Sequence, residues 1–176
     1  MSKNRKEYSR HLKQMCIFAM FGVIMLISKK IMEFLPNFHL LGMMIVSLTV
    51  VYRKKALIPI YVYVMLDGLF YGFNLSWYPY LYIWTVLWLF AMLLPKKMPP
   101  KIAPYIYMLT AAFHGIIFGT LYAPYQALVY NFGFDKMIEW IIIGLPFDIM
   151  HCVGNFIVGI LIYPCIKLLQ RLERIY

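Results

Sequence analysis

Five polar side chains lie inside long apolar stretches of the sequence, and these residues are the first candidates for chemistry: Asp67, His114, Asp148, His151 and Asn155. A charged side chain in the bilayer interior costs about 2.5 to 3.5 kcal/mol on insertion scales, so such a residue indicates a function or a tight pairing. For Asp67 we favour a structural partner. Asp148, His151 and Asn155 are spaced i, i+3 and i+7, so they share one helical face that must look into a bundle. That face predicts either ligand contact or interhelical hydrogen bonds that fix packing, with Asp148 bonded to His151 or to a helix end.

His114, Asp148 and His151 raise the possibility of a metal-dependent intramembrane enzyme, because two imidazoles and a carboxylate are suitable metal ligands. Their spacing is not a known signature, and the sequence contains no zinc-protease, nucleophile-elbow, P-loop or dinucleotide motif. We therefore predict a protein that is not an enzyme and that needs no cofactor. Gly115 and Gly119 follow His114 at small-xxx-small spacing, which also favours a packing role where two helices approach closely.

Aromatic residues are concentrated between positions 77 and 88. Tyr80, Trp84 and Trp88 are spaced i, i+4 and i+8 and so share one helical face. Such a run, preceded by Trp77, is typical of the aromatic belt at a membrane interface. The same face would also suit stacking on a flat ligand.

The composition places all of these residues in a membrane. Of the 176 residues, 63% are hydrophobic and 14% are charged, and the mean hydropathy is +0.72. A soluble domain is about half apolar and a quarter charged, so an ordinary soluble globule is excluded. The three cysteines lie in apolar stretches, which indicates buried small hydrophobes and not a disulfide scaffold. The net charge of +10 comes from basic residues at the edges of apolar segments, a topology signal and not a nucleic-acid footprint.

The apolar pattern predicts six transmembrane helices in a single all-α domain that covers residues 1–176. An even number of spans puts 14 of the 17 basic residues on one side of the membrane, so we place both termini in the cytoplasm. The basic N-terminus is 1–13 and the basic tail is 167–176. We expect the second helix to be short, tilted or partly re-entrant, and the stretch 140–145 before Pro146 to be bent or separate. The predicted spans are 14–31, 39–52, 56–73, 78–94, 102–122 and 138–161.

The first span should remain as a helix, since no small-x-small cleavage site follows it. The segments 29–38, 73–77 and 123–137 then lie outside the membrane. They contain more aromatic and amide residues than charges, and such groups could form a lid. The outer face is therefore the expected place for ligand capture.

Several short segments together resemble one known family. They are Ser28–Lys29 with the run from Leu35 to Leu40, the turn from Tyr52 to Ala56, the run from Tyr80 to Trp84, and the run from Gly144 to Asp148. The pattern spans nearly the whole chain and resembles the substrate-binding S components of energy-coupling factor (ECF) vitamin transporters.

The resemblance implies a six-helix, multi-pass protein of a bacterial cell membrane that captures a vitamin or related micronutrient from outside. It also implies docking to a transmembrane coupling protein and two cytoplasmic ATPases, as part of an ABC-type importer. Small residues on the first helix receive the coupling protein in that family, and here Ala19 and Gly22 match that position. The positions that correspond to the family's substrate-binding region are Asn37, His39, Trp77, Tyr80, Trp84, Tyr122, Gln126, Asp148, His151 and Asn155. We add His114 to this set of expected substrate-binding residues.

Two other interpretations stay open beside this one. The first is the metal-dependent intramembrane enzyme, and the second is a structural membrane subunit without a ligand. The identity of the vitamin is also open, since several ring-containing micronutrients would suit an aromatic, mildly polar pocket.

Overall fold

The computed structural model describes residues 3–35 and 38–175, which form helices and turns without any strand. Two 3₁₀ turns, Arg53–Ala56 and Gly159–Leu161, each join two successive helices. The all-α prediction is thereby confirmed. The helices are α1 Lys3–Ile31, α2 Leu41–Tyr52, α3 Leu57–Tyr71, α4 Tyr80–Leu93, α5 Ala103–Ile116, α6 Phe118–Val129, α7 Phe134–Val158 and α8 Ile162–Ile175.

Three helical segments of the described chain are long and apolar enough to cross a membrane. They are His11–Ile31, Ala103–Val129 and Phe134–Glu173, and α4 is a shorter apolar helix. Large apolar side chains remain exposed along these segments, for example Ile143 at 74% and Ile160 at 62%. A protein surface of this kind needs lipid around it, so the chain is a helical membrane protein.

Helix α2 forms the centre of the core. It has 12 residues, of which ten are buried, and it packs against α4 and α8 and also touches α1, α5 and α7. Its sequence is apolar on every face, which is typical of a helix enclosed by protein. Thr49 Oγ1 donates to the carbonyl of Ile45 at 2.6 Å, so this buried hydroxyl is satisfied within the helix. The prediction of a short second helix is confirmed.

Two helix pairs frame this centre, α1 with α3 and α5 with α7. In both pairs a glycine allows the close approach. A Cβ on Gly22 would overlap the Val62 side chain of α3 and lie 3.2 Å from the Pro59 carbonyl oxygen. A Cβ on Gly115 would lie 2.8 Å from the backbone nitrogen of Cys152 on α7. The close helix approach that the glycines beside His114 predicted is therefore present.

The structure corrects four sequence-based expectations. Helix α7 runs without interruption through Pro146, so 140–145 is not a separate segment. The predicted outer loop 123–137 is helical as far as Val129, and the predicted span 102–122 is broken at Ile117, where α5 gives way to α6. Cys16 is exposed on α1 and is not a buried hydrophobe, whereas the other two cysteines are partly buried.

The basic ends of the chain are largely helical. Helix α1 begins at Lys3, and α8 covers most of the basic tail. Residues 1–2 and 176, the outermost parts of the predicted N-terminus and tail, lie outside the described residues.

Candidate functional site

Three histidines from distant parts of the sequence meet beside Trp84. His39 precedes α2, His114 lies near the end of α5, and His151 lies in the middle of α7. The ring centroids of His39 and His151 are 5.0 Å apart, and those of His114 and His151 are 6.4 Å apart. The indole of Trp84 on α4 lies 5.9 Å from His39 and 5.6 Å from His114. We call Trp84, the three histidines and Asn155 the inner cluster.

Hydrogen bonds to backbone carbonyls orient two members of the inner cluster. His114 Nε2 lies 3.0 Å from the carbonyl oxygen of Ile83 on α4. Asn155 Nδ2 donates to the carbonyl of Ala111 on α5 at 3.1 Å. A Cβ on Gly42 would lie 2.9 Å from Asn155 Oδ1, so α2 also approaches this amide closely. These contacts hold α2, α4, α5 and α7 together around the cluster.

Each member of the inner cluster nevertheless has one buried polar atom without a hydrogen-bond partner. Leaving such an atom unpaired costs about 1 to 3 kcal/mol, so natural proteins seldom place several together. Five in one cluster make this the candidate place for a polar ligand that would complete the hydrogen bonds. The atoms are His39 Nδ1, Trp84 Nε1, His114 Nδ1, His151 Nε2 and Asn155 Oδ1.

A pocket of about 410 Å³ lies between α6 and α7, next to the inner cluster. Its walls are mainly aromatic, and the Tyr122 and Trp140 rings are nearly parallel, with 14° between their planes and 5.9 Å between centroids. Asp148 supplies its carboxylate and His151 its imidazole. The lining residues are Phe118, Gly119, Tyr122, Trp140, Ile143, Gly144, Phe147, Asp148 and His151.

His151 belongs to the inner cluster and also lines this pocket, and Phe118 lies between the pocket and two other members of the cluster, Trp84 and His114. The Phe118 and His151 rings both line the pocket and are 4.9 Å apart. The Phe118 ring also lies 5.8 Å from Trp84 and 6.0 Å from His114, which do not line the pocket. Phe118 is the first residue of α6, directly after the break at Ile117. A guest in the pocket therefore lies beside His151, and one side chain, Phe118, stands between it and Trp84 and His114.

Asp148 caps α6 and does not contact His151 through a hydrogen bond. Both of its carboxylate oxygens accept from the backbone N–H of Gly119, at 2.9 and 3.1 Å. A carboxylate is favourable there because the first backbone N–H groups of a helix lack partners within it. A Cβ on Gly119 would overlap this carboxylate. The interpretation that Asp148 is bonded to a helix end is confirmed.

Asp67 has the structural partner that its position predicted. Lys29 Nζ on α1 lies 2.6 Å from Asp67 Oδ1 on α3, and the Asp67 residue is only 3% exposed. Tyr63 Oη donates to the same oxygen at 3.4 Å. Lys29 Nζ also lies over the rings of Tyr71 and Tyr80, at 4.8 and 5.1 Å from their centroids, within cation–π range. Lys29 was not among the candidate residues expected from the sequence.

The remaining predicted ligand residues fall in several places. Tyr80 neighbours Trp84, with 5.9 Å between ring centroids. Tyr122 lines the pocket, but Gln126, one helical turn further along α6, does not. Trp77 is separate from the inner cluster, because its Nε1 donates to the Val64 carbonyl at 2.8 Å. Asn37 lies outside the described residues.

The first half of α7 supplies pocket residues that the sequence analysis missed. These residues are Trp140, Ile143 and Phe147. Their spacing places them on the same helical face as Asp148, His151 and Asn155, closer to the start of the helix. Extending that face toward the start of the helix would have found them. The expected separation of 140–145 from the rest of the helix concealed the continuity.

The structure also places the possible metal ligands and the residues expected to dock the coupling protein. No group of three or more His, Cys, Asp or Glu side chains within 3–35 and 38–175 is positioned to hold a metal ion, and Asp148 is bonded to α6. On α1, Ala19 is exposed, but Gly22 is buried against α3. The small size of Gly22 therefore serves packing within the chain and offers no surface to a coupling protein.

Comparison of the chain with protein-family models, with curated proteins and with solved structures finds no match.

Proposed function

We propose that this protein captures a small, flat micronutrient within the membrane as the substrate-binding subunit of an ECF-type importer. The observation that carries the proposal is the aromatic pocket beside five buried polar atoms that lack hydrogen-bond partners. Native proteins seldom leave several such atoms unpaired in one place, and a binding protein gains affinity and specificity from them.

The pocket has the size and surface expected for such a ligand. Pockets for small molecules usually enclose about 300 to 1,000 Å³ and are mostly apolar with a few placed polar groups. The volume of about 410 Å³ falls in that range. The parallel faces of Tyr122 and Trp140 suit stacking against a ring. Vitamins and related micronutrients with one or two rings fit these dimensions.

The proposal includes six membrane spans with both termini in the cytoplasm. The basic loops and ends then share the cytoplasmic side of a bacterial cell membrane, in accord with the positive-inside rule. The inner cluster lies at the end of the bundle where α1 and α3 finish and α4 begins. That end is extracellular in this topology, as uptake of a nutrient requires.

Energy for uptake would come from partners, since the sequence has no nucleotide-binding motif. We propose a transmembrane coupling protein and two cytoplasmic ATPases. The exposed face of α1 that includes Ala19 and Val23 is the proposed docking surface, because α3 already covers the opposite face at Gly22. Small side chains allow close helix approach in membranes.

Gly144 offers a direct test of the pocket. It lines the pocket, and a Cβ at this position meets nothing within 4 Å. Gly144→Phe should therefore fill the pocket with little backbone strain, and Gly144→Ala is the matched control that adds one methyl group. Mass spectrometry should detect a small molecule that copurifies with the wild-type and Gly144→Ala proteins in detergent.

The Gly144→Phe protein should carry less than a tenth of that molecule while it keeps its thermal unfolding temperature. Equal occupancy of all three proteins would place the molecule elsewhere. If no small molecule copurifies with the wild-type protein, and none from a vitamin panel binds to it, the capture function is wrong and a structural subunit is favoured.

A further inference from the structure

Three of the unpaired atoms in the inner cluster can be assigned as hydrogen-bond donors or acceptors. This assignment limits the chemistry of the guest. Because a carbonyl oxygen can only accept, His114 Nε2 must carry the proton in its contact with Ile83. In the neutral imidazole the unpaired Nδ1 is then an acceptor. The amide of Asn155 is oriented by its Nδ2 bond to Ala111, so the unpaired Oδ1 is also an acceptor.

Trp84 supplies the opposite polarity. Its Nε1–H is a donor only, and it is buried without a partner. A guest that completes these three sites must therefore offer two hydrogen-bond donors and one acceptor. An amino group on a nitrogen heterocycle has this pattern, because the amino group donates and the ring nitrogen accepts.

The charges around the pocket favour a cation over an anion. The described lining contains one carboxylate, Asp148, and no lysine or arginine. Lys29, a basic residue near the inner cluster, is paired with Asp67 at 2.6 Å. The faces of Trp140 and Tyr122 carry negative electrostatic potential, which also attracts a cation. A phosphate or carboxylate would meet further acceptors here, and its buried charge would lack a partner.

From these contacts we propose that the captured molecule is a positively charged nitrogen heterocycle with N–H donors, free of phosphate and carboxylate groups. This inference rests on the proposed capture function and specifies its substrate class. The ring stacks in the pocket near Trp140, its charge lies toward Asp148, and its N–H groups reach the acceptors behind Phe118.

Matched probes test the class on protein stripped of copurified molecules. Thiamine and N1-methylnicotinamide are cationic rings with N–H donors, and thiamine monophosphate and nicotinate are their counterparts with an anionic group. Calorimetric titration in detergent should show that at least one cationic probe binds at least tenfold more tightly than its counterpart.

Asp148→Asn should weaken binding of that cationic probe by about tenfold. The asparagine keeps an acceptor for the Gly119 N–H and removes the charge, so α6 stays capped. Asp135→Asn, at an exposed carboxylate in the first turn of α7, is the matched control and should leave affinity unchanged.

Three results would overturn the inference. An anionic probe that binds as tightly as its cationic counterpart would show that the charge argument is wrong while capture itself stands. Unchanged affinity in Asp148→Asn would do the same. Failure of all four probes would also reject this substrate class, and the separate Gly144 experiment would then decide whether the protein captures any small molecule.

Discussion

Trp84 and Trp88 lie one turn apart on α4, and their indole N–H groups have opposite environments. Trp88 Nε1 donates to the backbone carbonyl of Arg53 at 3.1 Å. Trp84 is 2% exposed, and its Nε1 has no partner. The same residue type on the same helix is therefore fully bonded toward one end of the bundle and unpaired toward the other.

The bonded end is organised by Arg53. Its guanidinium donates to the carbonyls of Met92 and Leu94 at the end of α4. Its backbone has a φ of 54°, which is uncommon for a residue other than glycine, and it closes α2. Polar groups here satisfy one another and fix the fold. Five of the six buried side-chain atoms without a partner in the described residues belong to the inner cluster, and this concentration distinguishes the candidate binding region from the end at Arg53.

The largest effect is expected at the contact between α5 and α7, which supports the candidate binding region. Gly115→Val would place side-chain atoms against the α7 backbone at Cys152 and force α5 and α7 apart. We expect a loss of about 3 kcal/mol in unfolding free energy and loss of the copurified molecule. Thermal unfolding in detergent would measure the first and mass spectrometry the second. Gly144→Ala, at a helical glycine in open surroundings, should change stability little.

Arg53→Ala should separate stability from binding. It leaves the carbonyls of Met92 and Leu94 without their donor, so we expect a loss of about 2 kcal/mol in unfolding free energy. Affinity for the copurified molecule should stay the same, because Arg53 belongs to the other end of the bundle. Lys54→Ala, at the exposed neighbour, should change neither quantity. A large fall in affinity for Arg53→Ala would mean that the two regions are not independent.

The smallest expected effect gives the most direct test of the difference between Trp84 and Trp88. Trp84→Phe removes the unpaired donor and should lower affinity roughly fivefold, the equivalent of one hydrogen bond of about 1 kcal/mol. Trp88→Phe makes the same substitution but removes a bonded donor, so it should leave affinity unchanged. Titration of both variants with the copurified molecule compares them directly. Equal losses of affinity would refute the distinction between the two tryptophans.

Part of this arrangement could be predicted from the sequence. Composition was sufficient for an all-α membrane protein, and the i, i+3, i+7 spacing correctly turned Asp148, His151 and Asn155 inward, where each is at most 5% exposed. Such periodicity is local, and it needs only the geometry of one helix.

The rest depends on contacts between distant segments. His39 joins His151 across more than 100 residues, and no local pattern encodes that meeting. The bond between Asp148 and Gly119 requires that α5 end at Ile116, a break that an unbroken apolar run conceals. Trp77 was expected beside Trp84 in the ligand region, but it precedes α4, which begins only at Tyr80, and its Nε1 is bonded to the Val64 carbonyl.

The enclosure of α2 has a consequence for how the protein is made. This helix of 12 residues is about 18 Å long at 1.5 Å per residue, shorter than the hydrocarbon layer. One of its contacts is with α8, where Ser47 Oγ donates to the Ile162 carbonyl at 3.5 Å. The surroundings of α2 are therefore complete only after the last helix has been synthesised. We therefore expect a nascent chain that ends before α8 to hold α2 without its complete set of contacts.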